Sequence, residues 1–290
     1  METCGGVVHC AAFYIYRMRR TGWVIGAIVA VLATGAAVVD WGVHSLAPAH
    51  SDYVPRDPTL RRAELFFYVP RGSEPPPRAM LFFFGNDIGF WAAHQELAAD
   101  LQAHGYAVVG FDVKPLIQSL PRGDAAAVAA RRDAIVGSRI DTLIRASRRE
   151  LGLTSAPIVL IGHSFGAELA VWTAYHVPIP LLRGVVAIAP ASRGHLAITA
   201  QDLADIGSPR EPGSFGVAQI VATLPPGLRV ALVRGAHDRL RGADSAIVSA
   251  GGMRLRYWII PLASHSLKRV VVARYVVRSA VEWVANLPAA

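Results

Sequence analysis

The chain has 290 residues, 53% of them hydrophobic, and a formal net charge of +8 at pH 7. That length and apolar content suffice for one large domain with a sizeable core, with or without an anchor. The basic residues are scattered and match no nucleic-acid-binding motif, so we expect no nucleic-acid partner and favour an anionic lipid surface. Both cysteines, Cys4 and Cys10, lie in the first ten residues, so the rest of the chain has no disulfide framework and no cysteine metal site.

An uncharged run of 17 residues, Trp23–Val39, lies near the amino terminus. Three arginines precede it and Asp40 comes directly after it. Its length is at the lower limit for a membrane-spanning helix, and leading basic residues favour a cytoplasmic amino terminus with export of the downstream chain. We therefore predict a cytoplasmic lead and membrane anchor over residues 1–44 and a linker over residues 45–60. The alternative is a signal peptide, cleaved near Ala47-Pro48-Ala49.

Apolar runs alternate with helical patterns over residues 61–290. The predicted strands are Arg62–Val69, Ala79–Phe84, Ala107–Asp112, the run after Pro157, Gly184–Ala189, Arg229–Arg234 and Leu255–Ile260. The predicted helices are Phe90–His104, Asp124–Leu151, Ala167–His176 and about Lys268–Asn286. This alternation predicts one doubly wound, mostly parallel sheet in a three-layer α/β/α domain. Residues 191–227 are too long for a simple connection and are predicted to form a cap or lid.

A glycine-bounded serine comes after the fourth predicted strand. The sequence Gly162-His163-Ser164-Phe165-Gly166 stands between a strand and a helix, which is the context of a nucleophile elbow. The turn is so tight that the serine backbone is strained, its hydroxyl stands above the sheet, and the flanking positions must be nearly free of side chains. Gly162 and Gly166 meet that requirement. We therefore predict that Ser164 is a nucleophile, and we interpret His163 as a packing residue.

The last two predicted strands each end in a residue type that a serine nucleophile needs. A serine hydroxyl requires a base, the base requires an orienting acid, and the chain order in such folds is serine, acid, histidine. Asp238 comes after the strand Arg229–Arg234, and His265 comes after the strand Leu255–Ile260. We predict His265 as general base and then acid, and Asp238 as the carboxylate that fixes the imidazole tautomer. Asp244, in the same loop as Asp238, is the alternative acid.

Two backbone N–H groups are expected to stabilise an oxyanion. One belongs to Phe165, and the other to Asn86 or Asp87 in the loop Gly85–Trp91. The alternative interpretation of that loop is a simple Gly-Asn-Asp turn. The sequence contains no metal-ligand cluster, phosphate-binding loop or dinucleotide-binding turn, so we expect no metal and no cofactor.

From Phe82 onward the sequence resembles the VirJ/AcvB group of α/β hydrolases, which are exported bacterial virulence-associated proteins. The stretches that carry the resemblance are Phe84–Trp91, Gly105–Asp112, Leu160–Glu168 and Ala189–Ser192. The sequence departs from the group at Gly85-Asn86-Asp87, where the group tends to have Gly-Asp-Gly. It also departs at His163 and Glu168, where the group has Tyr and Asp, in its single His265, and in lacking the cysteines that the group often carries near the acid.

The resemblance implies an α/β-hydrolase fold on the periplasmic side of the inner membrane, which is compatible with the single membrane-spanning anchor predicted above. It also implies hydrolysis of an aminoacylated phospholipid such as lysyl-phosphatidylglycerol. The leading hypothesis is therefore a membrane-anchored serine ester hydrolase with an ester or lipid substrate. Because a fold does not fix a function, one alternative is a non-catalytic accessory protein that offers the fold as a binding platform for secretion or envelope partners. Another is an esterase or acyltransferase with a soluble substrate.

Overall fold

The structure is a computed structural model, which describes residues 49–51, 53–70, 72, 76–123, 125–197, 213–266, 271 and 274–286. The predicted anchor over residues 1–44, both cysteines and part of the linker lie outside these ranges. The same holds for residues 198–212 in the middle of the predicted cap. Among the residues described, no helix is both long enough and apolar enough to cross a membrane.

Seven strands form one sheet in the order β1-β3-β2-β4-β5-β8-β9. Their bounds are β1 Leu65–Tyr68, β2 Met80–Phe84, β3 Ala107–Phe111, β4 Ile158–His163, β5 Leu182–Ile188, β8 Arg229–Gly235 and β9 Leu255–Ile260. Two short strands, β6 Arg193–Gly194 and β7 Phe215–Gly216, pair with each other outside that sheet. The pairs β2–β3, β2–β4, β4–β5, β5–β8 and β8–β9 are parallel. The mostly parallel sheet predicted from the sequence is thus present.

Helices cover both faces of the sheet. Their bounds are α1 Pro58–Arg61, α2 Ala92–Ala103, α3 Lys114–Gln118, α4 Ala126–Glu150, α5 Phe165–His176, α6 Val217–Thr223, α7 Asp244–Gly251 and α8 Arg274–Ala285. Side chains from α4, α5 and α6 pack in one core with Phe82 and Phe84 of β2. Side chains from α2 and α8 pack in a second core with Leu81 and Phe83. Because successive residues of a strand point to opposite faces, β2 must be apolar throughout, and all five of its residues are buried.

The order in which the chain adds strands to the sheet reverses between β2 and β4, although these two strands are parallel. The connection from β2 leads to β3 on one side, whereas β4 and the later parallel strands lie on the other side. Doubly wound folds bind their ligands at the carboxyl ends of the strands on either side of such a reversal. The loop Gly85–Trp91 follows β2 and the turn at Ser164 follows β4, so the fold itself brings the two predicted parts of the site together.

The main sheet has one antiparallel edge, where β1 pairs with β3 and Leu65 lies opposite Phe111, which agrees with the mostly parallel sheet predicted. One prediction about the architecture requires correction. The predicted cap over residues 191–227 is wrong in its second half, because helix α6 belongs to the body of the domain. Val217 and Val221 are fully buried in the core beside α5. The length of the connection indicates an insertion, but the apolar residues of α6 recur at helical spacing and pack against α5 and α7.

Candidate active site

The turn after β4 has the geometry of a strained elbow. β4 ends at His163, α5 begins at Phe165, and Ser164 between them has φ 53° and ψ −123°. Non-glycine residues with positive φ are uncommon, and such strain persists only where the surroundings enforce it. Here the Ser164 N–H donates to the Ile188 carbonyl of β5 over 2.8 Å, and the Ser164 carbonyl accepts from the Ala167 N–H over 2.8 Å. These bonds hold the serine in place at the end of the sheet.

The two glycines of the elbow allow backbone segments to approach each other closely. A Cβ at position 162 would lie 1.9 Å from the Gly166 carbonyl oxygen. A Cβ at position 166 would lie 2.2 Å from the Gly85 carbonyl oxygen and 2.5 Å from that of Phe84. All three obstructing atoms are main-chain atoms, which cannot rotate away. Both glycines are therefore required sterically, as the sequence pattern predicts.

We expect Gly166→Ala to destabilise the fold by about 3 kcal/mol or more, because the new methyl group overlaps the carbonyl oxygens at the end of β2. Gly137→Ala is the matched control. Position 137 lies inside α4, and a Cβ there would meet only the side chains of Trp172 at 3.7 Å and Val177 at 3.9 Å. The control should be neutral or stabilising by up to about 1 kcal/mol, since alanine is the better helix former. Urea denaturation measures both values, and equal effects would contradict the assignment of close approach to Gly166.

Three side chains from different loops form a continuous hydrogen-bonded chain. Ser164 Oγ lies 2.9 Å from His265 Nε2. His265 Nδ1 lies 3.2 Å from Asp238 Oδ2 and 3.3 Å from Oδ1. The serine is partly exposed, the imidazole is 25% exposed, and the carboxylate is buried. The structure therefore brings together the three residues that the sequence pattern singles out, with the acid on the far side of the imidazole from the serine.

The carboxylate of Asp238 is held as an anion in a buried position. Burial by itself raises the pKa of Asp238, but hydrogen bonds from His265, from Arg234 and from the Leu240 N–H outweigh burial and lower the pKa to about 2. The alternative acid, Asp244, does not face His265. Its oxygens bind the guanidinium of Arg234 and the hydroxyl of Tyr257. By geometry, Asp238, and not Asp244, is the carboxylate that contacts the imidazole.

A pair of buried histidines supports the loop that carries His265. His163 Nε2 lies 3.1 Å from the His265 carbonyl oxygen, so this nitrogen carries the proton. His94 Nδ1 accepts from the Trp91 N–H over 3.3 Å, so its proton is on Nε2. The two remaining nitrogens, His94 Nε2 and His163 Nδ1, have no partner among the described residues, and the ring centroids are 5.7 Å apart. Each ring thus carries one proton and is neutral. His163 does more than pack, because it also contacts the loop of His265.

Burial lowers the pKa of both histidines, that of His94 to well below its ordinary value and that of His163 to about 3. The neighbouring histidine contributes to each shift in the same direction: His163 for His94, and His265 for His163. A charged ring would bury a cation with an N–H that has no acceptor, which explains the direction of both shifts.

We expect the free energy of unfolding to fall as the pH drops below about 6.5, because the unfolded chain then binds protons that folded His94 and His163 exclude. Each such histidine contributes a slope of about 1.4 kcal/mol per pH unit until its folded pKa is reached. The variant His163→Gln keeps a side-chain N–H donor and removes one titrating ring, so its slope should be smaller by about that amount. Urea denaturation at several pH values above about 4.5 measures the slope without the contribution of Asp238. An unchanged slope would show that folded His163 titrates normally.

The loop Gly85–Trp91 is fixed by its own backbone and lies against one half-buried acid, Asp112. The Asn86 and Gly89 N–H groups donate to each other's carbonyl oxygens over 3.2 Å and 3.1 Å. The Asn86 side chain accepts from the Ile88 N–H over 3.3 Å, as in an Asx turn. A Cβ on Gly89 would lie 2.9 Å from Asp112 Oδ2, so the loop approaches that carboxylate closely. The Asn86 N–H is therefore committed to the turn, and Asp87 remains the other predicted oxyanion donor.

Two residues at the site escaped the sequence-based predictions. Arg234 was assigned only as the end of a strand, yet its buried guanidinium binds Asp238 and Asp244. Glu168 is buried one helical turn after Ser164 and accepts from the Ala191 N–H over 2.9 Å. The sequence signal for Arg234 is a charged residue at the end of an apolar strand, and the signal for Glu168 is an acidic residue in the first turn of the helix that follows the elbow. In the described ranges, no group of three or more His, Cys, Asp or Glu residues could hold a metal ion.

Solved structures of other proteins show the same architecture. A protein described as a dienelactone hydrolase, from Klebsiella pneumoniae, superposes with a TM-score of 0.55 at 14% sequence identity, over 77% of this chain and 92% of that one. Est1E from Butyrivibrio proteoclasticus superposes with a TM-score of 0.50 at 13% identity, over 75% of this chain and 93% of that one. The chain has the α/β-hydrolase fold. No protein-family model matches the sequence, and no curated protein sequence matches it.

Proposed function

We propose that the protein is a serine hydrolase of carboxylic esters, with Ser164 as nucleophile, His265 as general base and then acid, and Asp238 as orienting acid. The observation that carries the proposal is the 2.9 Å contact between Ser164 Oγ and His265 Nε2 at a strained elbow. A serine that merely ended a strand would not need φ 53°, two sterically required glycines and an imidazole backed by a buried carboxylate.

In the proposed reaction, Ser164 Oγ attacks the ester carbonyl carbon while His265 Nε2 takes the hydroxyl proton. The tetrahedral oxyanion accepts hydrogen bonds from the Phe165 N–H and from the Asp87 N–H. Phe165 is the first residue of α5, so its N–H has no acceptor within the helix. Such N–H groups at the amino terminus of a helix stabilise a nearby negative charge. The imidazolium then gives its proton to the leaving alcohol. Water, activated by the same imidazole, releases the acid and restores the serine.

In its narrower form, the proposal is a membrane-anchored enzyme of the VirJ/AcvB kind. The anchor would be the uncharged run Trp23–Val39, the catalytic domain would face the periplasm, and the ester would join an amino acid to a phospholipid such as lysyl-phosphatidylglycerol. The resemblance of Phe84–Trp91 and Leu160–Glu168 to that group supports this form, and so does a formal charge of +8 for a protein acting at an anionic lipid surface.

The ester-hydrolase proposal is tested with a panel of short-chain p-nitrophenyl esters and with a fluorophosphonate probe that reacts with activated serines. We expect turnover of some member of the panel and labelling that maps to the peptide containing Ser164. Labelling should disappear in His265→Gln, because the hydroxyl is then no longer activated. Absence of both turnover and labelling in the folded wild-type chain would overturn the proposal and favour the binding platform.

The lipid substrate needs a separate experiment. Vesicles of phosphatidylglycerol with and without lysyl-phosphatidylglycerol are incubated with the full-length chain, and free lysine is measured. Release of lysine that depends on Ser164 supports the narrower form. Turnover of p-nitrophenyl esters without lysine release would retain the esterase and exclude this lipid.

A further inference from the structure

Arg234 is buried behind the acid of the proposed triad. It is the last residue but one of β8, is 1% exposed, and lies four residues before Asp238. A buried guanidinium is costly unless its donors are satisfied, so its contacts identify the groups for which it is retained.

The donors of Arg234 are divided between two carboxylates and one carbonyl. Nη1 donates to Asp238 Oδ2 over 2.8 Å. Nη2 donates to Asp244 Oδ1 and to the Pro190 carbonyl oxygen, both over 2.6 Å. Nε donates to Asp244 Oδ1 over 3.0 Å and to its Oδ2 over 3.2 Å. Tyr257 donates its hydroxyl to Asp244 Oδ2 over 2.6 Å. We call these four side chains, Arg234, Asp238, Asp244 and Tyr257, the arginine cluster.

The cluster fixes the carboxylate of Asp238 on both of its oxygens. Oδ2 accepts from Arg234, and Oδ1 accepts from the Leu240 N–H over 2.9 Å. The edge between the two oxygens faces His265 Nδ1 at 3.2–3.3 Å. Rotation of the carboxylate would break at least one charge-assisted bond, so Arg234 determines the direction from which the imidazole is held.

The net charge of the cluster is opposite in sign to the positive charge that His265 gains during catalysis. One guanidinium and two carboxylates sum to −1, and Tyr257 stays neutral because burial and its bond to Asp244 raise its pKa to about 12. If Arg234 were paired with Asp238 alone, that pair would be neutral and would attract an imidazolium only weakly. Asp244 supplies the second negative charge. Formation of the imidazolium at His265 then brings the buried total to zero.

We propose, on the basis of the ester-hydrolase function above, that Arg234 is a positioning residue for Asp238 and that Asp244 restores the negative charge that Arg234 would otherwise cancel at His265. Among the residues that the structure describes, Ser164 and His163 also face the imidazole, and both are neutral. Arg241, which adjoins Tyr257, is exposed to solvent and is screened.

Three variants of the full-length chain separate geometry from charge. Arg234→Lys keeps the charge of the cluster but loses the planar fork, so kcat should fall roughly tenfold to a hundredfold with the pH midpoint of the acid limb of kcat/KM unchanged. Asp244→Asn removes one negative charge and should move that midpoint down by about one pH unit. The double variant Arg234→Met with Asp244→Asn has the wild-type total of −1, so its midpoint should return toward the wild-type value while kcat stays low.

The imidazole titration of His265, followed by NMR in protein labelled with ¹³C-histidine and assigned with His265→Gln, gives the same midpoints without any turnover. It therefore tests the cluster even if the wild-type chain hydrolyses no ester, which would overturn only the proposed function. A purely structural cluster would lower the free energy of unfolding in all three variants and leave the midpoint of each folded variant at the wild-type value. That result, or an unchanged kcat in Arg234→Lys, would overturn the assignment.

Discussion

Replacing Ser164 with alanine is expected to lower kcat for ester hydrolysis by about 10⁶-fold, the loss typical of removing a serine nucleophile. The fold should be unaffected. Alanine has the same Cβ as serine and meets the same strain at φ 53°, and the backbone bonds of this residue to Ile188 and Ala167 do not involve the hydroxyl. The loss can therefore be attributed to the hydroxyl alone. Initial rates with the most reactive p-nitrophenyl ester measure it.

Ser147→Ala is the matched control for that substitution. Ser147 is fully buried in α4, and its hydroxyl has no hydrogen-bond partner among the described residues. Removing it should leave kcat unchanged and should not lower the free energy of unfolding, because an unsatisfied buried hydroxyl contributes no stability. If Ser164→Ala retained more than about one hundredth of the wild-type kcat while remaining folded, the nucleophile would have to be another residue.

The elbow could be predicted from the sequence because its requirements are local and steric. A strand, a tight turn and a helix within a few residues leave only glycine at positions 162 and 166, and the backbone distances show the same restriction. The pairing of Ser164 with His265 was also accessible, since parallel strands bring their carboxyl ends to one edge of the sheet. Both inferences rest on chain order and do not require any knowledge of side-chain packing.

The features that could not be predicted depend on contacts between distant segments. The sequence favours Asp238 over Asp244 but does not decide between them; only the folded loop shows that Asp238 contacts the imidazole and that Asp244 does not. The antiparallel direction of β1 is set by its pairing with β3, a strand far along the chain. The hydrophobic pattern within β1 alone does not show this direction. The predicted lid includes helix α6 because the length of a connection does not show the surface on which a helix within it packs.

The second large effect is expected for Asp238→Asn, which should lower kcat by about 10⁴-fold with little change in KM. Both carboxylate oxygens accept hydrogen bonds, from Arg234 and from the Leu240 N–H, so the amide oxygen of asparagine can satisfy only one of them. The charge of Arg234 should retain the oxygen, which turns the NH₂ group toward Leu240 and His265 Nδ1. The imidazole then carries its proton on Nε2 and can no longer accept the proton of Ser164.

Asp244→Asn is the matched control for this prediction. Asp244 has no contact with His265 and is separated from it by Arg234 and Asp238. The substitution Asp244→Asn should lower kcat at the optimum pH by less than about tenfold, since the tautomer of the imidazole is still set by Asp238. Steady-state kinetics across the pH range separates the two variants, because a tautomer defect reduces the plateau whereas a charge defect moves the acid limb. Equal losses of kcat in the two variants would mean that the carboxylates act only as one electrostatic unit, and the specific role of Asp238 in orienting the imidazole would have to be abandoned.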